Sequence, residues 1–310
     1  MQRVSESVIQ VIINSWRTGT NKQYDLAWQK WVIWCKSRGY NPKHTSEVDM
    51  LAYLDLLIEN GKSYSVINTH KSMLIQTLKL FNNSWCENPR FIARFMKGVF
   101  NKCPPKPKCD STWDVSVVLR YLSALMPLES LGLKLLTYKL VALLALSNAP
   151  RSQTLVALKL SNMNILKGKV EFMFTNLLKT SRDTKFKMVP SHFENESLCV
   201  MHTLLFYVSK TENNRLSGQL LISHCTYKAV TTSTVARWLK DVLAASGIND
   251  KFKAHSFRSA SVSAAFMHGC TLQEILRTAD WSSAKNFKKF YLRDVEQNTS
   301  DYSRAVFGDN

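Results

Sequence analysis

Lys167 to Pro190 reads KGKVEFMFTNLLKTSRDTKFKMVP, and its pattern differs from what lies on either side. Polar and apolar residues alternate one by one, the period of a strand with one buried face. Gly168 and Pro190 bound the segment and "TSRDT" offers a tight turn, so two or three short antiparallel strands are predicted. Outside this window the apolar spacing is helical. A greasy run from Leu131 to Ala149 precedes it, and from His192 to about Arg293 the pattern is helical again. The expected fold class is therefore mainly α with a small antiparallel β-sheet (α+β).

The first hundred residues read as helices throughout. Tyr24, Trp28, Trp31 and Cys35 recur at steps of four, three and four, which puts them on one face. A second helix carries Val48, Leu51, Leu54 and Ile58 and stops at Gly61. Ser65 is a suitable N-cap for a third, running through Leu80 with Ile67, Leu74 and Leu78 inward and His70, Lys71 and Lys79 elsewhere. A fourth spans about Pro89 to Phe100. Then comes "NKCPPKPKCDST", 101–112, whose three prolines and three lysines suit neither a helix nor a central strand. The expected organisation is a helical bundle over 1–100, a linker over 101–112 and a second domain over 113–310. That domain opens on a helix capped by Ser111 or Thr112 and bearing Val118, Leu119 and Leu122.

Charge narrows the partner. Forty-one Lys and Arg stand against 23 Asp and Glu, a net +18, which leaves a positive field suited to a polyanion. Lys134 and Lys139 interrupt the longest apolar run, and the N-terminus lacks a signal-peptide pattern, so no membrane association is expected. Seven scattered cysteines form neither a disulfide framework nor a zinc spacing, which fits a reducing, intracellular setting and no structural metal. The chain has no GxxxxGK[ST] loop, no HExxH, no GxSxG and no acidic cluster for paired metals. No cofactor is expected.

The residues that remain for chemistry are cationic, imidazole and phenolic. "AHSFRSASVSAAF" sets His255 and Arg258 three apart on a helix, followed by small residues that let another backbone or a DNA strand come close. Arg151 follows Pro150 at a helix junction, Lys179 sits at the hairpin, and Trp281 opens "WSSAKNFKKFYLRD", where Phe287 and Tyr291 share a helical face. Taken singly, each has an ordinary reading. HxxR is a weak motif, Arg151 an interhelix ion pair, Lys179 a solvated turn lysine, and Trp281 and Tyr291 core aromatics.

Their order changes the weighting. Arg, then Lys in a β-hairpin, then HxxR, then His or Trp, then Tyr about ten residues on resembles the signature of the tyrosine recombinases, the phage-integrase superfamily. The carriers are Arg151 in "NAPRSQTLVAL", Lys179 in "LLKTSRDTKF", His255 and Arg258 in "HSFR", Trp281 in "DWSS" and Tyr291 in "FKKFYLRD". The blocks "RSQTL" and "WSSAKNFKKFY" are most similar to those of eukaryotic mobile elements, the DIRS-like and Crypton-like groups. Two positions depart from the wider pattern. Thr154 stands where an acidic residue often follows the first arginine. Tyr291 comes ten residues after Trp281, because Phe290 occupies the commoner ninth place; Tyr302 is the fallback nucleophile.

The resemblance implies a DNA-clamping bundle before a catalytic domain, and cleavage of a DNA phosphodiester through a 3′-phosphotyrosyl link without metal or ATP. Arg151 and Arg258 would bind the non-bridging oxygens, and Tyr291 would attack. His255 would manage the phenol proton or bond the phosphate, Lys179 would protonate the leaving 5′ oxygen, and Trp281 would donate its indole N–H. His70, Lys71, Lys106, Lys108 and Arg182 are further expected DNA contacts. The partners implied are double-stranded DNA and further copies of the chain, a dimer on one site and a tetramer in synapsis. "NTSDYSRAVFGDN" is a segment suited to docking on a neighbour, and the expected location is intracellular and nuclear. Two other readings stay open: a catalytically silent, domesticated DNA-binding protein, and a type IB topoisomerase-like enzyme.

Overall fold

Trp31 and Cys35 are fully buried on the helix Thr18–Ser37 (α1), with Tyr24 and Trp28 half-buried beside them, as their spacing predicts. The structure is a computed structural model that describes residues 5, 7, 11, 15–81, 88–105, 111–174, 187–281, 284 and 291–295. It divides into two compact units, Met1–Pro107 and Lys108–Asn310.

In the first unit α1 is joined by Glu47–Glu59 (α2), Tyr64–Phe81 (α3) and Pro89–Lys102 (α4), and α3 packs against the other three. The starts of these helices follow local chemistry. Ser46 and Asp49 form a capping box on α2, and the Asn88 side chain accepts from the Arg90 and Phe91 amides, with Pro89 in the first turn of α4. On α3 the start lies before Ser65: the Ser63 carbonyl takes the first helical bond, from the Ile67 amide at 3.1 Å. The buried face of α2 is Met50, Leu51, Tyr53, Leu54, Leu57 and Ile58, and Val48 is turned out, 71% exposed. Trp31, Trp34 and Tyr53 stack around ring separations of 5.1 to 5.4 Å and form the aromatic centre of this core. Each such buried ring contributes on the order of 1.5–3 kcal/mol.

The second unit is built on Leu133–Asn148 (α6), preceded by Val115–Ala124 (α5) and followed by the short Ser152–Val156 (α7). Eleven residues of α6 are buried, so it is the central helix of its core and apolar on nearly every side. Val200–Thr211 (α8), Thr232–Ala245 (α9) and Ser256–Met267 (α10) pack around it, and Leu272–Thr278 (α11) packs on α10. The cap of α5 is Asp114, whose carboxylate accepts from the Ser116 amide, and not Ser111 or Thr112. Those two residues form a strand, Ser111–Thr112 (β1), so part of the segment expected as linker belongs to the second unit. Asn101 and Lys102 likewise still belong to α4.

The sheet is three-stranded and antiparallel, in the order Met163–Leu166 (β2), Lys169–Met173 (β3) and Lys187–Met188 (β4). Val170 and Phe172 face the core, while Glu171 on the other face bridges Lys169 at 2.9 Å and Lys187 at 3.1 Å. The first strand begins before the alternating stretch, because Lys167 and Gly168 make a two-residue hairpin turn. The φ of +75° at Gly168 is the left-handed geometry such a turn needs. The "TSRDT" turn lies outside the described residues. From His192 onward the chain is less uniformly helical than its pattern suggests, and the last described element is a strand, Asp294–Val295 (β5), paired in parallel with β1. Among the described residues no helix is long and apolar enough to cross a membrane.

Candidate active site

Arg258 lies in the first turn of α10 and is 2% exposed. A buried guanidinium must find acceptors, and the acceptors are the carbonyls of Ala149 and Ala279, the C-cap residues of α6 and α11. The cation thus joins the negative ends of two helices. Ala149 has a φ of +44°, and Asp280, which follows Ala279, a φ of +52°. Left-handed backbone at a non-glycine residue costs on the order of 1–3 kcal/mol and gathers at functional sites. Burial pushes the Arg258 pKa down to about 9; neighbouring Arg151 adds to this, and Tyr291 and Asp280 oppose it. The group remains cationic at neutral pH.

Three aromatic groups gather over this charge. The Trp281 ring centre is 4.1 Å from the Arg258 guanidinium carbon and the Tyr291 ring centre 5.5 Å, both within cation–π range. The Trp281 and Tyr291 rings are 4.6 Å apart. His255, the exposed N-cap residue of α10, brings its Nε2 to 3.2 Å from the Tyr291 hydroxyl. His255 and Arg258 share one helix start yet reach Tyr291 differently, one at the solvent edge and one from beneath.

Supports for these side chains come from residues that sequence patterning did not single out. The Trp113 indole N–H donates to Ser256 Oγ at 2.8 Å, and Ser256 Oγ donates to the Lys253 carbonyl at 2.7 Å, which braces the turn before α10. Trp113 also meets Phe257 edge to face at 5.1 Å. Ser263 Oγ donates to the Tyr291 carbonyl at 3.3 Å and accepts the Arg293 amide at 3.0 Å. Ala149, Val262, Ile275 and Ala279 form a small apolar cluster against which Trp281 and Tyr291 pack.

Five of the six expected catalytic residues therefore meet at one place: Arg151, His255, Arg258, Trp281 and Tyr291. Arg151 is half-buried at the start of α7, two residues after Ala149, whose carbonyl Arg258 holds. Thr154, where an acid was a possible support, is buried on α7. Tyr291 itself stands in a turn, and Phe287 and Phe290 lie outside the described residues. So do Lys179, Lys106, Lys108 and Arg182. His70 is corrected: it is 5% exposed in the core of the first unit, its Nδ1 3.0 Å from the Tyr53 hydroxyl, and no phosphate reaches it there. Lys71, beside it on α3, is half-buried.

A mostly helical chain with a small antiparallel sheet, and with His, Arg and Trp gathered around one phenol, has the fold of the tyrosine recombinases. The solved structures of similar fold are of that class. XerH site-specific recombinase bound to a palindromic difH substrate aligns at a TM-score of 0.66 with 11% identity, over 93% of this chain and 80% of that one. A lambda integrase dimer bound to a COC′ core site aligns at 0.56 with 16% identity, over 92% and 75%. The Tn1549 transposon integrase in complex with transposon right-end DNA aligns at 0.56 with 14% identity, over 85% of each. A comparison with curated proteins finds no match. Residues 123–297, more than half of the chain, match the model of the phage integrase family, and the chain belongs to that family.

Proposed function

We propose that this protein is a site-specific DNA recombinase that cuts and rejoins strands through a 3′-phosphotyrosyl intermediate, with Tyr291 as nucleophile. The observation that carries the reading is the Tyr291 hydroxyl, 3.2 Å from His255 Nε2 with the Arg258 cation beneath its ring. The Arg258 cation stabilises the negative charge that develops around the phosphorus as the phenol oxygen attacks. In the cleavage step the Tyr291 oxygen bonds to phosphorus as its proton passes to His255 Nε2, and the bond from phosphorus to the 5′ oxygen breaks. Lys179, which falls between β3 and β4 in the sequence, gives that oxygen a proton. Arg151 is the more accessible of the two arginines and meets the non-bridging oxygens, while Arg258 holds the positive field from below. The indole N–H of Trp281 bonds the phosphate. Rejoining is the same sequence reversed by a second strand's 5′ hydroxyl.

The remaining features extend this reading. Double-stranded DNA is the partner, clamped by the first unit with Lys71, Lys106, Lys108 and Arg182 among the phosphate contacts. Two copies act on one site and four in synapsis, with the segment 298–310 docking on a neighbour. The "RSQTL" and "WSSAKNFKKFY" blocks support a mobile element of eukaryotes, integrating or excising in the nucleus.

The test is a pool of nicked duplexes with random sequence around the nick, which traps the covalent intermediate because the short 5′ fragment diffuses away. The wild-type chain is expected to become attached to DNA and Tyr291→Phe to give no adduct above background. Attachment by Tyr291→Phe, or none by the wild type, overturns the assignment.

A further inference from the structure

We propose that Ser263 is a positioning residue for Tyr291, and that its hydroxyl fixes the phenol against the helix that also carries His255 and Arg258. This rests on Tyr291 being the nucleophile. Ser263 is 1% exposed, five residues after Arg258 on α10. Its hydroxyl uses both of its capacities on one short stretch, donating to the Tyr291 carbonyl at 3.3 Å and accepting the Arg293 amide at 3.0 Å. Serine and threonine inside a helix commonly turn back to a carbonyl of the preceding turn. Thr203, Thr211 and Ser246 each do so here, bonding the carbonyl four residues earlier. Ser263 instead reaches across to another segment.

The consequence is one rigid frame for the reacting groups. His255 stands at the start of α10, Arg258 in its first turn and the Ser263 anchor about one and a half turns further on. Immediately beyond Arg293 the chain is held again, by the parallel pairing of Asp294 and Val295 with Ser111 and Thr112. Ser263 lies nearer the phenol than that pairing does, and it holds the very residue that must attack. In-line attack needs the oxygen within about 3–3.5 Å of phosphorus, and a shift of about 1 Å costs roughly 100-fold in rate. A side chain that locks the Tyr291 backbone therefore acts on the rate of cleavage and not on DNA affinity.

The experiment compares full-length Ser263→Ala, Ser263→Thr and Tyr291→Phe with wild type, by adduct formation on saturating nicked duplex pool and by amide exchange of the free protein. Ser263→Ala is expected to form adduct about 10–100-fold more slowly. Its DNA affinity should be unchanged, its thermal midpoint should stay within about 4 °C of wild type, and its Arg293 amide should exchange faster. Ser263→Thr keeps the hydroxyl and is expected to restore both the rate and the protection. Wild-type rate and exchange in Ser263→Ala overturn the proposal. So does an equal loss in Ser263→Ala and Ser263→Thr with a matching fall in thermal midpoint, the mark of ordinary packing. The two readings fail separately. Adduct from Tyr291→Phe removes the nucleophile assignment, whereas a null Tyr291→Phe beside a fully active Ser263→Ala removes Ser263 alone.

Discussion

The His70 imidazole packs against Tyr53, 5.7 Å ring to ring, and is bonded to its hydroxyl. Burial, with the Lys30 charge adding to it, holds the His70 pKa down at about 4 against an ordinary 6.5. The unfolded chain therefore takes up the proton first as pH falls. The stabilisation from His70 is complete above pH 6.5 and is lost between pH 6.5 and 4, about 3 kcal/mol in all. Replacing His70 with Gln keeps an acceptor for Tyr53 and removes the titration. In urea unfolding at a series of pH values, the wild type should lose about 3 kcal/mol more than His70→Gln between pH 7 and 4. Parallel curves would mean that His70 is not the group that titrates. The residue also marks a limit of patterning. A histidine is as frequent on a basic face as in a polar core pair, and what decides here is Tyr53, seventeen residues away on another helix.

Among the elements, α6 was readable from Leu131–Ala149 as one apolar helix, but its lysines were not equivalent. Lys134 lies over the Tyr138 ring, whereas Lys139 is 0% exposed with its ammonium donating to the Leu125 carbonyl at the end of α5, 2.7 Å away. Burial pushes the Lys139 pKa down to about 8. Between pH 8 and 10.5 the unfolded chain holds the proton more tightly than the folded one, so stability rises with pH across that window; below pH 8 the cost of burying the charge is felt in full. Lys139→Met fills the same space without the charge. At pH 7 it should raise the unfolding free energy by about 1–2 kcal/mol, after allowing for the unpaired Leu125 carbonyl, and the gain should shrink toward pH 10. A loss of stability at pH 7 would show that the bond to α5 outweighs the desolvation. The strands divide in the same way. The alternation over 167–173 announces β3, but β1 and β5 have two residues each and meet across most of the domain, which no local period encodes. The supports of the site share that character. Arg258 is held by two backbone carbonyls and Tyr291 by one serine hydroxyl, so the side chains of the candidate site could be chosen by type and order while their anchors could not.

Across the molecule, the basic excess is shared by the two units. Residues 1–107 hold 15 Lys and Arg against 7 Asp and Glu, and 108–310 hold 26 against 16. Three of the first unit's cations lie on the outside of α4, where Arg90, Arg94 and Lys97 are exposed at steps of four and three and make a single stripe, while Ile92, Met96 and Val99 on the other face are buried. The second unit carries the whole of the observed site, whereas the α4 stripe belongs to the first. Each has its own apolar core, and a chain of residues 111–310 should therefore unfold as one cooperative unit. Binding to a polyanion releases counterions, and the slope of log K against log salt is about −0.9 for each phosphate neutralised. On a duplex of random sequence, residues 111–310 should bind more weakly than the full chain and with a shallower slope, by about 0.9 for each contact that the first unit makes. The α4 stripe makes the sharper version of this prediction. Arg90→Ala, Arg94→Ala and Lys97→Ala together should reduce the full-length slope by up to about 3 without changing the thermal midpoint, since all three side chains point to solvent. Full-length and 111–310 slopes that coincide would assign every phosphate contact to the unit that carries Tyr291, and α4 would then be a solvated basic face.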